Sequence, residues 1–214
     1  MKVVKIRKIS RKYNKGCKIQ LRRHSVYPVM KIETNIVAPL FNLKDIFGRM
    51  INLEEYRNRR VFIGFFRHAG CPFCNIRVHA LSKKHKELQA KGMEMIFFFE
   101  SPENLLLKSI FHKEVSPIPL IADPKKTCYA QYGIENSGYK SAVSHLTSFV
   151  QTAFKARKLD VPMHMMAGGE SISTMPAEFL IDKNLIVKKV HYADGLTDRL
   201  GMDILEKFAK DGTV

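Results

Sequence analysis

Val61 to Cys74 reads VFIGFFRHAGCPFC, an apolar run bounded by Arg59, Arg60 and Arg67 and followed within a few residues by a Cys-x-x-Cys pair. Such a run, rich in β-branched and aromatic residues, is expected as a strand buried on both faces. From Cys71 to about Ala90 the period changes. Cys74, Val78, Leu81, His85 and Leu88 recur at spacings of four and three and share one face of a helix, while Arg77, Lys83, Lys84 and Lys86 fall off that face. Gly92 is a candidate C-cap, and Met95 to Phe99 is the next apolar run. Strand, helix, strand over residues 61–99 implies two parallel strands joined by a crossover.

The same alternation extends outward. Upstream, residues 40–43 and 50–53 flank Phe47-Gly48 as a hairpin would, and a short helix is expected at Leu53 to Tyr56. Downstream, helices are expected from Pro102 to about Phe111, from Lys125 to Tyr132, and over 141–157, where Val143, Leu146, Val150 and Phe154 form one stripe. A short strand is expected at Ile118 to Ile121, and an irregular stretch from Leu159 to Ser173. Glu178 to Ile181 and Ile186 to Val190 flank Asp182-Lys183-Asn184 as a compact hairpin with a turn-forming Asn. Leu196, Leu200, Ile204, Leu205 and Phe208 mark a terminal amphipathic helix. The pattern predicts an α/β domain over residues 36–214, with a central mixed sheet and helices on both faces.

Composition agrees with one sizeable core. The chain has 214 residues, 45% of them hydrophobic and 26% charged, which excludes wholesale disorder. Its net charge of +16 is unevenly spread: residues 1–24 carry ten Lys or Arg and no acid. Residues 1–35 therefore read as a basic N-terminal arm, solvated by default and suited to weak contact with anionic surfaces through residues 1–24. No secretory-type apolar stretch follows the first charges, and no run of about 18 apolar residues exists. A cytoplasmic location is expected. Four cysteines are too few for a disulfide scaffold, so a close pair points to chemistry or metal.

Cys71 falls where the buried strand has ended and the helix begins, with Cys74 one turn inside. Backbone N–H groups and the positive end of the helix dipole stabilise a thiolate there, lowering a thiol from ~8.5 toward ~3.5–7.5. Cys71 is the expected nucleophile, ionised and exposed enough to attack, and Cys74 the resolving thiol. Pro72 suits the first helical position, where its missing N–H costs nothing. Zinc fits poorly: His79 follows Cys74 after only four residues, where a finger needs roughly 12–15. Arg67 and His68 are candidates to favour the thiolate or polarise a peroxide oxygen. Cys128 and Cys17 read as plain thiols, and His164 among Met163, Met165 and Met166 is a weak candidate for a soft metal. Gly168-Gly169 lacks the residues of a phosphate loop and reads as a turn.

The stretch APLFNLKDIFGRMINLEEYRNRRVFIGFFRHAGCPFCNIRVHAL resembles the opening half of peroxiredoxin-like proteins of the alkyl hydroperoxide reductase/thiol-specific antioxidant family, in the thioredoxin superfamily. PAEFLIDKNLIVKKVHYA resembles the matching second half. The resemblance implies a thioredoxin-like fold in which Thr174-Met175-Pro176 precedes a strand. It further implies that Pro176 is cis and abuts the reactive cysteine, leaving the Met175 backbone to pair with a bound thiol partner. His68 stands where such proteins carry Thr, Gly64 where they carry Pro, and the arginine of their second half would fall near Pro176. Cys-Pro-Phe-Cys instead resembles the Cys-Pro-Tyr-Cys of glutaredoxins.

Two functions are therefore open. One is a thiol-dependent oxidoreductase that reduces disulfides or peroxides through Cys71 and Cys74 and requires no bound cofactor and no metal. Its expected partners are an external thiol reductant of thioredoxin or glutathione type, a disulfide or peroxide, and a second copy in a homodimer. The other is a binding module whose basic arm docks on nucleic acid or an anionic surface.

Overall fold

The computed structural model describes residues 30–108, 115, 117–144, 158 and 170–214. Most of the basic arm, Cys17, the stripe residues Leu146, Val150 and Phe154, His164 with its methionines, and Gly168-Gly169 lie outside the described residues.

The run read as the first core strand is β3 (Arg60–Phe65), at the centre of a five-stranded mixed sheet. It pairs in parallel with β4 (Met93–Phe99) and antiparallel with β6 (Ala177–Ile181). β5 (Leu120–Ala122) extends the sheet beside β4, and β7 (Val187–Tyr192) closes the other edge beside β6. The strand order is β5-β4-β3-β6-β7. Between β3 and β4 runs α1 (Pro72–Ala90), with Cys74, Val78, Leu81, His85 and Leu88 all buried as their spacing predicts. Gly92 closes it at a φ of 91°.

Alternate side chains of the central strands feed two apolar clusters. Phe62, Phe66, Met95, Phe97 and Phe99 face α1, Leu106 of α2 (Glu103–Lys108), and Leu205 and Phe208 of the terminal helix. Val61, Ile63, Phe65, Ile96 and Phe98 face the hairpin of β1 (Asn42–Lys44) and β2 (Met50–Asn52), the 3₁₀ turn Leu53–Tyr56, and α3 (Thr127–Gln131). Each fully buried phenylalanine contributes roughly 1.5–3 kcal/mol. The rings also engage edge to face, as Phe66 does with Phe97 at 5.3 Å between centroids.

A helical stretch at 138–144, α4, begins near the expected position. The terminal helix, α5 (Met202–Asp211), starts later than the apolar spacing suggests. Its expected first turn is diverted because the N–H of Leu196 donates to Ser144 Oγ at 3.0 Å and that of Leu200 to Glu178 Oε2 at 2.9 Å. In the β6–β7 turn the left-handed residue is Leu185 (φ 64°), not Asn184. Asp182 Oδ1 accepts from the N–H groups of Asn184 and Ile186, and the buried Leu185 side chain holds the turn to the core. Upstream of the hairpin, the chain already lies along β7, with Asn35 N–H donating to Val187 O at 2.7 Å. At Gly133 (φ 65°) a Cβ would sit 2.4 Å from Met30 O. Glycine there permits both the left-handed backbone and the close approach.

Gly64 bears on the site. A Cβ at this position would lie 2.8 Å from the Phe66 ring, which is wedged against Phe97 and Phe99 just before the cysteine loop. Gly64→Ala is expected to cost about 1–3 kcal/mol through overpacking, read as a lowered urea midpoint at unchanged slope.

Candidate active site

β3 delivers the chain to the middle of the sheet edge, where Phe66 N–H still bonds to Phe98 O. Residues 67–70 then turn sharply, with Cys71 N–H donating to His68 O at 3.0 Å and Ala69 N–H to Ser101 Oγ at 2.7 Å. Cys71 is the N-cap of α1 and Pro72 its first residue, as the sequence predicts. No side-chain hydrogen bond caps this end, so the first-turn N–H groups are available to the sulfur. Cys71 and Cys74 are both free thiols rather than a disulfide.

The electrostatics separate the two thiols. Burial pushes Cys71 up, but hydrogen bonds from the Cys74 thiol and backbone, with the charges of Arg67 and His68, bring it down to about 5. Cys74 moves the other way: burial raises it, and the hydrogen bond and negative charge of Cys71 raise it further. One thiol is thus an anion at neutral pH and its neighbour stays protonated.

Arg67 organises this arrangement. Its side chain is fully buried, with Nη1 donating to Cys71 Sγ at 3.6 Å. Its Nη2 donates to Ser141 Oγ at 3.4 Å and to Ile172 O at 2.5 Å, and its backbone N–H donates to Cys74 Sγ at 3.4 Å. Three separated segments therefore meet at Arg67, beside the sulfur: the β3–α1 loop, α4 and the chain before β6. His68 is also buried; its Nδ1, which has no hydrogen-bond partner among the described residues, stands 3.9 Å from a Glu170 carboxylate oxygen.

Three expectations are corrected here. Cys71 has no accessible surface, so the sulfur is ionised but not exposed in this state. The convergence just described encloses it. The Met175–Pro176 bond is trans, since no cis peptide bond occurs among the described residues. Met175 does share the apolar cluster of Cys71 and Cys74. Its N–H, however, already donates to Glu135 O at 2.9 Å and is not open to a partner strand, while Pro176 O accepts from Ala193 N–H. Glu100 anchors the same segment, accepting from Ser171 N–H at 3.0 Å and Thr174 Oγ1 at 2.6 Å and pairing with Lys126 Nζ at 2.8 Å.

Arg77, off the apolar stripe in sequence, turns inward instead. Its Nε and Nη2 donate to the two oxygens of Glu178, both at 2.8 Å. Glu178 has no accessible surface, and the detectable signal was its place within the apolar run PAEFLI, where a buried carboxylate demands a cation. Ser141 and Ile172 left no comparable signal. Cys128 lies in the opposite cluster, where burial and Asp123 push its thiol up to about 12. It is no nucleophile at neutral pH.

A mixed sheet whose central strand runs into a cysteine-capped helix defines a thioredoxin-like fold. Solved structures agree: a peroxidoxin, BcpB, from Mycobacterium tuberculosis (TM-score 0.57, 17% identity, covering 85% of this chain and 96% of that one) and a thiol peroxidase from Chromobacterium violaceum (0.58, 15%, 86% and 89%). The chain belongs to the AhpC/TSA family, whose sequence profile matches residues 35–190. Peroxiredoxin Bcp of Escherichia coli (strain K12) is 27% identical over 99 residues, 46% of this chain and 62% of that protein. A prostamide/prostaglandin F synthase of Salmo salar is 29% identical over 94 residues, 44% of this chain and 46% of that protein. The chain therefore spans less than two thirds of the length of these curated relatives.

Neutralising Arg67 should raise Cys71. In Arg67→Met the pH midpoint of alkylation by iodoacetamide is expected to move up by about one unit or more, toward that of a free thiol. Folding stability should follow the same ionisation. The folded pKa of about 5 lies below the reference value of 9.0, so the unfolded chain holds more protons between these limits. The stability due to Cys71 is then full above pH 9 and lost as pH falls toward 5. Wild-type minus Cys71→Ser unfolding free energy, measured on reduced protein, is expected to rise across that window.

Proposed function

We propose that the protein is a thiol-dependent peroxide reductase. The observation that carries this reading is the opposed ionisation of two adjacent thiols at a helix N-terminus, one lowered to about 5 and the other raised. An anionic sulfur beside a protonated one suits a nucleophile with its resolving partner. Membership of the AhpC/TSA family supports the same chemistry.

In the proposed cycle the Cys71 thiolate attacks the terminal oxygen of a hydroperoxide. An S–O bond forms, the O–O bond breaks, and the departing oxygen takes a proton to become an alcohol or water. Sulfur is oxidised to a sulfenic acid and the peroxide is reduced. In this reading Arg67 holds the thiolate and stabilises the charge that moves onto the leaving oxygen, and His68 is the proposed proton donor. Cys74 then attacks the sulfenic sulfur, losing its proton as water leaves, and a Cys71–Cys74 disulfide results. An external dithiol, or two monothiols, reduces that disulfide by exchange. Because Cys71 is enclosed, attack follows a local opening that admits the peroxide. Thioredoxin- or glutathione-type reductants, docking of residues 1–24 on anionic surfaces, and a homodimer belong to this reading as expectations. Reductant-coupled turnover, salt-dependent binding and sedimentation respectively check them.

Stopped-flow mixing of reduced protein with hydrogen peroxide tests the proposal. Saturating peroxide should convert wild type to a species 2 Da lighter, the internal disulfide. Cys74→Ser should instead trap a sulfenic acid 16 Da heavier, and Cys71→Ser should not react. Reaction of Cys71→Ser at the wild-type rate would overturn the assignment.

A further inference from the structure

Beside the first turns of α1 lies a cleft of about 270 Å³ whose walls include Phe73, Ile76, Ala80 and Leu196 on the apolar side and Arg77 and Arg199 on the polar side. The two arginines differ. Arg77 spends its donors on Glu178 and on Leu200 O. Arg199, its side chain only 9% exposed, donates from Nη1 to Asp198 O at 2.6 Å. Its Nε and Nη2 are shielded from water and have no hydrogen-bond acceptor among the described residues. The Glu178 carboxylate stands 3.8 Å from that Nε, beyond hydrogen-bonding distance. Asp198 turns its own carboxylate to His191 Nε2 and to the N–H of Asp194. Two guanidinium groups thus share one carboxylate, which leaves positive charge at the polar wall of an apolar cleft, with two unpartnered donors just beneath it.

A planar guanidinium with free donors matches a carboxylate, and the apolar wall suits a hydrocarbon body. Two residues of the cleft link it to the thiols. Phe73 lies between Cys71 and Cys74 in the chain, and the charge of Arg199 reaches the Cys74 thiol. We propose that this cleft seats the carboxylate end of a small organic hydroperoxide with an apolar body, and so selects such peroxides over neutral ones. The catalytic half of this proposal rests on the peroxide-reductase reading; the binding half does not.

Binding is tested first on the reduced full chain with redox-inert probes, 4-isopropylbenzoate and its neutral amide, by chemical-shift perturbation. The benzoate is expected to perturb Phe73 and Leu196 and to bind at least about tenfold more tightly than the amide, as a charge-assisted pair predicts. Arg199→Gln should erase that preference. Equal affinity for the two probes, or a preference that survives Arg199→Gln, would overturn the proposal. Should Arg199→Gln lose the wild-type spectrum, Arg199→Lys carries the test. It keeps the charge without the fork, a severalfold drop in benzoate affinity is expected, and no drop overturns the proposal. Selection is read as the ratio of second-order rate constants for ring-carboxylated and plain cumene hydroperoxide. A ratio of about ten or more that collapses toward one in the Arg199 variant is expected. Benzoate binding without oxidation by either peroxide would refute the peroxide reading and leave the cleft assigned. Rapid oxidation by both at equal rates, with no benzoate preference, would refute the cleft assignment alone.

Discussion

A guanidinium and a thiolate, both removed from water, hold each other in place at the end of the central strand. Either charge alone would be costly to bury, and together each lowers the cost of the other. Arg67 gains an anion at 3.6 Å, and Cys71 gains a cation that helps carry its pKa down against its own desolvation. The helix start contributes N–H groups to the same sulfur. The pair therefore links a feature of local structure, a cysteine at an N-cap, to a feature of packing, an arginine drawn wholly inward.

Because Arg67 also binds Ser141 and Ile172, the state of the sulfur is coupled to where two distant segments lie. Oxidation of Cys71 would remove the negative charge that Arg67 faces and weaken its reason to remain inside. Enclosure and reactivity are thus connected through one side chain. The same enclosure keeps bulk water from the thiolate, which strengthens each electrostatic contact around it.

A second buried charge cluster lies nearby on β6. Glu178 sits in a strand whose other residues are apolar, and it holds Arg77 from α1 while accepting from the chain just ahead of α5. This carboxylate ties sheet to helix and diverts the segment before α5. Glu100, at the end of β4, does the corresponding work for the segment before β6. Both carboxylates lie near the site end of the sheet, Glu178 as the second residue of β6 and Glu100 just past β4, where polar partners from other segments come within reach.

Periodicity and punctuation in the sequence were enough for the strand read at 61–66, the helix after Cys71 and its buried face, the parallel partner read at 95–99, the two hairpins, and Cys71 at a helix start. These depend on neighbours a few residues away, and such information is carried locally. Tertiary structure decided which side chains meet across the fold. It brought Ser141 and Ile172 onto Arg67 beside the sulfur, turned Arg77 inward to Glu178, used the Met175 N–H for Glu135, and closed Cys71 from solvent. The reason is that burial of a charge is settled by partners from remote segments, and no spacing along the chain encodes which ones will arrive.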